Sequence, residues 1–127
     1  MATPRAFISF KMEDKWARDF LVQHAKQKNS KIEFVDYSVH DPFNSKWKTN
    51  CKDRIARTAG TIVMIGKTTS KSEAVLWEIA ETAKQGHYIF AVQISSDNTY
   101  PIPSGIPSSR VVRWNFDKIV SELERWQ

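Results

Sequence analysis

The residues best suited to chemistry in this sequence lie in the stretch SKSEAVLWEIAETAKQ, positions 70–85. Glu78 follows Trp77 in a segment whose apolar residues otherwise have the spacing of an amphipathic helix. A carboxylate can stabilise the positive charge that develops on a sugar as its glycosidic bond breaks, as one of the two acids does in ordinary glycosidases. The helical pattern alone, however, favours a solvated surface role for Glu78.

The position of Glu78 on its helix is predicted from the capping and hydrophobic patterns. Ser70 and Glu73 fit a capping box, in which both side chains satisfy free backbone N–H groups, so the helix is expected to begin near Lys71. With 100° per residue, Glu78 lies off the apolar arc that must face a sheet, and roughly 10 Å along the helix from its start. The residues predicted to form that buried arc are Val75, Leu76, Ile79, Ala80 and Ala83.

Several common chemistries lack their motifs. No G-x-G-x-x-G or G-x-x-x-x-G-K-[ST] occurs, so an ordinary dehydrogenase or P-loop hydrolase is not expected. Ser9 has no glycine elbow, which removes support for a hydrolase triad. Cys51 stands alone and the histidines are dispersed, so no zinc site and no other metal site is predicted. Those histidines are His24, His40 and His87.

A phosphoacceptor domain is the next alternative, because it shares the predicted fold class. Such domains place paired acids directly after the first strand, where they hold a magnesium ion. Here Glu13 and Asp14 come three or four residues later and are expected to start a helix. Asp36 follows the second strand rather than the central one, so this interpretation is disfavoured.

Strand-like apolar runs alternate with helical patterns along the chain, which predicts an α/β fold. The order is βαβαβαβ, a long loop, then βα, giving a flavodoxin-like three-layer sandwich with a five-stranded, mostly parallel sheet whose ligands bind beyond the carboxyl ends of the strands. Residues 37–46 form a long loop, and 95–109 lack a helix pattern. The predicted strands are 5–10, 32–35, 61–66, 87–94 and 110–114, and the helices begin at Asp14, Trp47, Lys71 and about Asp117.

Length and composition fit one soluble domain over residues 1–127. No apolar run is long enough for a membrane span, and the N-terminus carries no secretory signal, so a cytoplasmic protein without a membrane partner is expected. The single Cys51 suits a reducing compartment. The net charge of +5 attracts anions, but the basic residues do not form one tract, so nucleic acid is not the expected partner.

Four segments of the sequence have a family pattern: RAFISFKMEDKWARDFL, FVDYS, YIFAVQI and CKDRIARTAGTIVMIGKTTSKSEAVLWEIAETAKQG, whose part from Ile55 to Gly86 is the most specific. With these segments, nearly the whole chain resembles the TIR-like family typified by bacterial Thoeris defence proteins. This resemblance implies a flavodoxin-like TIR sandwich and makes Glu78 the catalytic residue of an NAD-consuming enzyme, an NAD glycohydrolase or ADP-ribosyl cyclase. NAD is then the substrate, and no cofactor is needed.

The resemblance also implies which residues bind the nucleotide. Phe10 and Lys11 would line the pocket at the end of the first strand, together with the loop after the second strand. The other substrate-binding residues are Asp36, Tyr37, Ser38, Trp47, Ser70 and Trp77. Because nicotinamide leaves NAD as a neutral molecule, one carboxylate suffices and no general acid is required.

Family members of the Thoeris type release a cyclised or conjugated ADP-ribose, a signalling nucleotide that activates a downstream effector in antiphage defence. The resemblance therefore implies an effector reached through the product, and a homo-oligomer that forms on activation. Two alternatives stay open. One is a non-catalytic TIR-like scaffold that acts by self-assembly or partner binding, and the other is an enzyme resembling nucleoside 2-deoxyribosyltransferase.

Overall fold

Five parallel strands form one sheet in the order β2-β1-β3-β4-β5 in the computed structural model, which describes residues 5–28, 32–35 and 46–126. The β3 segment, GTIVMI, is buried along its whole length, as a central strand covered on both faces must be. The strands are β1 (Arg5–Ser9), β2 (Glu33–Val35), β3 (Gly60–Ile65), β4 (Tyr88–Gln93) and β5 (Val111–Arg113).

Helices cover both faces of the sheet because successive side chains of a strand point to opposite sides. Ala6 and Ile8 of β1 pack with α1 and α4, whereas Phe7 packs with α2. Val75 and Ile79 of α3 pack on that second face, against β3. The helices are α1 (Lys15–Gln27), α2 (Trp47–Ala56), α3 (Glu73–Lys84) and α4 (Phe116–Glu124).

The predicted fold class is confirmed, and the element boundaries agree to within a few residues. Residues 95–109 contain no α-helix, as predicted, and only the 3-10 turn Ser108–Arg110 begins there. The predicted loop 37–46 lies outside the described residues except for Lys46. In the described part of the chain, no helix combines the length and apolar character needed to cross a membrane.

The predicted capping box of α3 is wrong. Ser70 lies within the 3-10 turn Thr69–Lys71, and α3 begins only at Glu73. Ser72 is the N-cap residue instead: its backbone is extended, and its hydroxyl accepts a hydrogen bond from the N–H of Val75 over 3.2 Å. Lys71, which the capping box would place in the first turn of the helix, belongs instead to the 3-10 turn before it.

The predicted buried arc of α3 is also partly wrong. Val75 and Ile79 are buried as expected, but Ala80 and Ala83 are exposed and Leu76 is half-buried. The buried face instead includes Glu78, Glu81 and Thr82. Polar side chains can occupy this face because hydrogen-bond partners meet them there. The hydroxyls of Thr82 and Thr61 of β3, for example, lie 2.6 Å apart.

The assignment of the cap predicts the effects of two matched substitutions. Ser72→Ala removes the acceptor of the Val75 N–H and should lower the free energy of unfolding by about 1 kcal/mol, measured by urea denaturation. Ser70→Ala, two residues away, should change it by less than ~0.5 kcal/mol. A larger loss for Ser70→Ala than for Ser72→Ala would contradict the assignment.

Candidate active site around Glu78

The carboxylate of Glu78 is buried between β1, α2 and α3, and its residue is only 5% exposed. The Ser9 hydroxyl, at the end of β1, donates a hydrogen bond to Oε1 over 2.5 Å. The Cys51 thiol, on α2, donates to Oε2 over 3.2 Å. The prediction that Glu78 lies outside the core is therefore wrong, because two donors from other elements offset the cost of burying its carboxylate.

These contacts fix the orientation of the acid before any ligand arrives. Ser9 and Cys51 each donate to a different oxygen of the carboxylate, so the two bonds together restrict its rotation. The Ser9 bond is short, as hydrogen bonds to ionised oxygen acceptors are. The arrangement thus provides a positioned negative charge near the carboxyl end of β1, the edge at which ligands bind in this architecture.

Glu78 also changes the chemistry of its thiol neighbour. Burial raises the pKa of Cys51, and the adjacent Glu78 carboxylate raises that pKa further, because a thiolate there would be poorly solvated and would lie beside a like charge. Cys51 is fully buried, so in the folded protein it acts as a neutral hydrogen-bond donor rather than a nucleophile.

The two predicted tryptophans contact each other. The rings of Trp47 and Trp77 are 5.2 Å apart between centroids and inclined at 54°. Trp47 is buried, whereas Trp77 is half-buried and packs against the cluster that contains Cys51. Trp77 therefore has the partly accessible ring, and Trp47 supports it from within.

The residues predicted to bind the nucleotide at the ends of the first and third strands make no described contact with the Glu78 carboxylate. Phe10 packs against the core on the α1 and α4 face, the opposite side of the sheet from Glu78. The Lys11 ammonium donates to the Thr68 hydroxyl over 2.7 Å and lies 3.4 Å from a carboxylate oxygen of Glu13, so it joins two loops at the edge of the sheet. Ser70 is half-buried in the 3-10 turn Thr69–Lys71.

Three further predicted binding residues, Asp36, Tyr37 and Ser38, lie outside the described residues. Metal ligands are not grouped within the described ranges either: no three His, Cys, Asp or Glu side chains there could hold one ion. The described site therefore consists of Glu78 with its donors Ser9 and Cys51, and Trp77 packs against the cluster that contains Cys51.

The two donors, Ser9 and Cys51, are the site residues that the sequence analysis missed. Ser9 lies two positions after Phe7 in β1, so both point to the α2 and α3 face. Cys51 lies midway along the buried seam of α2 that contains Trp47 and Ile55. Strand alternation and helix spacing place each donor on the correct face, and this was the available signal.

The raised pKa of Cys51 predicts a loss of stability in alkaline solution. The unfolded chain releases its thiol proton above pH ~8.5, whereas the folded protein keeps it, so rising pH favours unfolding. The free energy of unfolding should fall by up to about 1.4 kcal/mol per pH unit above that value, and less steeply in Cys51→Ala. Urea denaturation at pH intervals of about one unit between pH 7 and pH 10 gives both slopes. Equal slopes would contradict the assignment.

Comparison with known proteins gives one family and two similar folds. The family model described as "Thoeris protein ThsB, TIR-like domain" matches residues 7–99. The TIR domain of the Toll-related receptor TRR-2 from Hydra magnipapillata is 18% identical, with a TM-score of 0.64 over 94% of this chain and 91% of that chain. A prokaryotic SEFIR domain is 19% identical, with a TM-score of 0.62 over 98% and 92%. No curated protein matches.

Proposed function

This chain belongs to the family of TIR-like domains of the Thoeris protein ThsB, and from that premise we propose that it cleaves the bond between nicotinamide and ribose in NAD. The observation that carries the proposal is the Glu78 carboxylate, held by Ser9 and Cys51 at the edge of the sheet where ligands bind. Trp77 is half-buried, packs against the cluster that contains Cys51 and offers a partly exposed aromatic surface.

The proposed reaction requires little of the protein. The bond between C1′ of ribose and the pyridinium nitrogen breaks, its electron pair passes to that nitrogen, and neutral nicotinamide leaves without protonation. The ribose is left with oxocarbenium character, which the negative charge of Glu78 stabilises. Water then attacks C1′ and loses a proton to give ADP-ribose, or another nucleophile attacks to give a cyclic or conjugated product.

We further propose that such a product is a signalling nucleotide for a downstream effector in antiphage defence, inside the cytoplasm, and that the chain assembles into a homo-oligomer when activated. Because Glu78 is only 5% exposed, the proposed reaction requires the carboxylate to become more accessible before ribose can reach it. Opening of the site on activation would supply that access, and the resting protein, in which the site is closed, would be inactive.

Replacement of Glu78 tests the reaction. Glu78→Gln keeps the shape of the side chain but removes its charge, so nicotinamide release should fall by about 10²-fold or more while the domain stays folded. Glu81→Gln is the matched control, since Glu81 is another buried glutamate of α3, with a carboxylate oxygen 2.9 Å from the Gln85 amide. Mass spectrometry of NAD products measures both. Equal turnover by wild type and Glu78→Gln would overturn the proposal.

Replacement of Ser9 tests whether orientation of the acid matters. Ser9→Ala removes the bond to Oε1 and should lower kcat roughly tenfold, with a smaller change in KM, because the donor orients the charge without contacting substrate. Thr82→Val is the control, because the Thr82 hydroxyl bonds the backbone oxygen of Glu78 and not its carboxylate. Equal losses of kcat in the two variants would show that Ser9 acts only through stability.

A scaffold without catalysis is the second candidate, and the near-complete burial of Glu78 favours it. Incubation of the assembled protein with NAD and infected-cell lysate separates the two, since a scaffold leaves NAD intact. Parallel incubation with deoxynucleosides tests the deoxyribosyltransferase alternative.

A further inference from the structure

A cavity lies at the carboxyl edge of the sheet, in front of β3 and β4, with a volume of about 360 Å³. Three segments form its wall: the start of α1, the residue after β3, and the residues after β4. Its polar and aromatic lining consists of Asp14, Trp16, Ser95, Ser96 and Tyr100, and Gly66 lies directly after β3.

Asp14 is the feature of this cavity that the fold does not explain. It is only 7% exposed and occupies the N-cap position of α1, yet its carboxylate makes no capping bond. Within the described ranges, its carboxylate accepts one long contact, 3.4 Å from the Thr69 hydroxyl to Oδ2, and nothing donates to Oδ1. The described residues thus give this carboxylate little hydrogen-bonding support, and N-capping does not account for its position.

The surroundings of Asp14 are built closely around its carboxylate. A Cβ atom at Gly66 would lie 2.2 Å from Oδ2, so only glycine allows this approach of backbone and acid. Burial raises the pKa of Asp14, and the nearby Glu13 charge raises it further. A ligand that donates hydrogen bonds to Asp14 would relieve the cost of that burial.

The lining also restricts what kind of ligand fits. Asp14 is the only charged side chain among the described lining residues, so a phosphate group would meet a carboxylate and no cation. Trp16 is 59% exposed and offers a large aromatic surface at the mouth of the cavity. A flat, uncharged ring with amino or hydroxyl donors suits this combination of one acid, one exposed indole and serine hydroxyls.

We propose that this cavity binds a nucleoside, whose base stacks on Trp16 and whose amino or hydroxyl groups donate to Asp14. That the nucleoside is the adenosine half of NAD rests on the proposed function. The cavity and Glu78 lie near the same end of β1, since Ser9 ends the strand and contacts Glu78, and Asp14 belongs to the 3-10 turn that follows.

Direct binding to Glu78→Gln protein tests the proposal, because this variant leaves the cavity residues unchanged. Adenosine is titrated while amide NMR shifts are followed, with ribose 5-phosphate as the ligand without a base. Asp14→Asn and Trp16→Ala should each weaken adenosine binding at least about tenfold. Phe20→Ala is the control, since Phe20 is exposed on the next turn of α1 and does not line the cavity.

The outcomes separate this site from the proposed reaction. Failure of adenosine to bind, equal binding by all variants, or Asp14-dependent binding of ribose 5-phosphate as tight as that of adenosine would overturn the nucleoside site. Adenosine binding that depends on Asp14 and Trp16 supports it, even where no nicotinamide is released. NAD cleavage with an unchanged KM in Asp14→Asn would exclude the adenosine half of NAD from this cavity while leaving the reaction intact.

A stability measurement distinguishes ligand binding from a structural role for Asp14. Because the pKa of Asp14 is raised in the folded protein, its ionised form disfavours folding as pH rises through that pKa. Asp14→Asn removes this charge, so its urea denaturation midpoint at neutral pH should equal or exceed that of the wild type. A clear fall in the midpoint would show that the carboxylate supports the fold and would overturn the proposal.

Discussion

The hydrogen bond from Ser9 to Glu78 is the interaction on which the organisation of the candidate site depends. A carboxylate beneath a helix that packs on a sheet is costly unless donors meet it, and Ser9 and Cys51 meet one oxygen each. This allows α3 to turn Glu78 toward the sheet on the same face as Val75 and Ile79. The helix is thereby anchored by apolar packing while it presents an acid.

The Ser9–Glu78 hydrogen bond also explains why the sequence patterns predict the strands better than the rotation of α3. Alternation of apolar runs predicts the strands well, because the interior of a parallel sheet demands continuous apolar segments such as β3. The rotation of α3 was predicted wrongly because a hydrophobic pattern places every Glu and Thr outside. Ser9 is 69 positions from Glu78, so no local pattern contains the partner that makes its burial acceptable. The catalytic assignment of Glu78 came from the family resemblance and not from the helix pattern.

The start of α3 fails for a different reason. Ser70 and Glu73 satisfy the local motif, but a capping box requires an extended backbone at the serine. The contacts of Thr69 hold the preceding segment in a 3-10 turn: its hydroxyl accepts from the Gly66 N–H over 2.8 Å and donates toward Asp14. The extended position therefore falls on Ser72. Tertiary contacts outside the motif therefore select Ser72 as the cap over Ser70, the serine that the motif favours.

Those contacts also connect the two buried acids at the edge of the sheet. Thr69 touches Asp14 on one side and begins the turn that leads to the Ser72 cap of α3, the helix that carries Glu78. Within the described residues, the Glu78 carboxylate accepts hydrogen bonds from Ser9 and Cys51 and is oriented in advance, whereas the Asp14 carboxylate accepts one contact of 3.4 Å from Thr69. Because Thr69 both contacts Asp14 and begins the turn before α3, a change in this turn would alter the donor to Asp14 and the start of α3 together. Among the described residues, the edge of the sheet thus holds one acid that Ser9 and Cys51 orient and one that lacks a close donor.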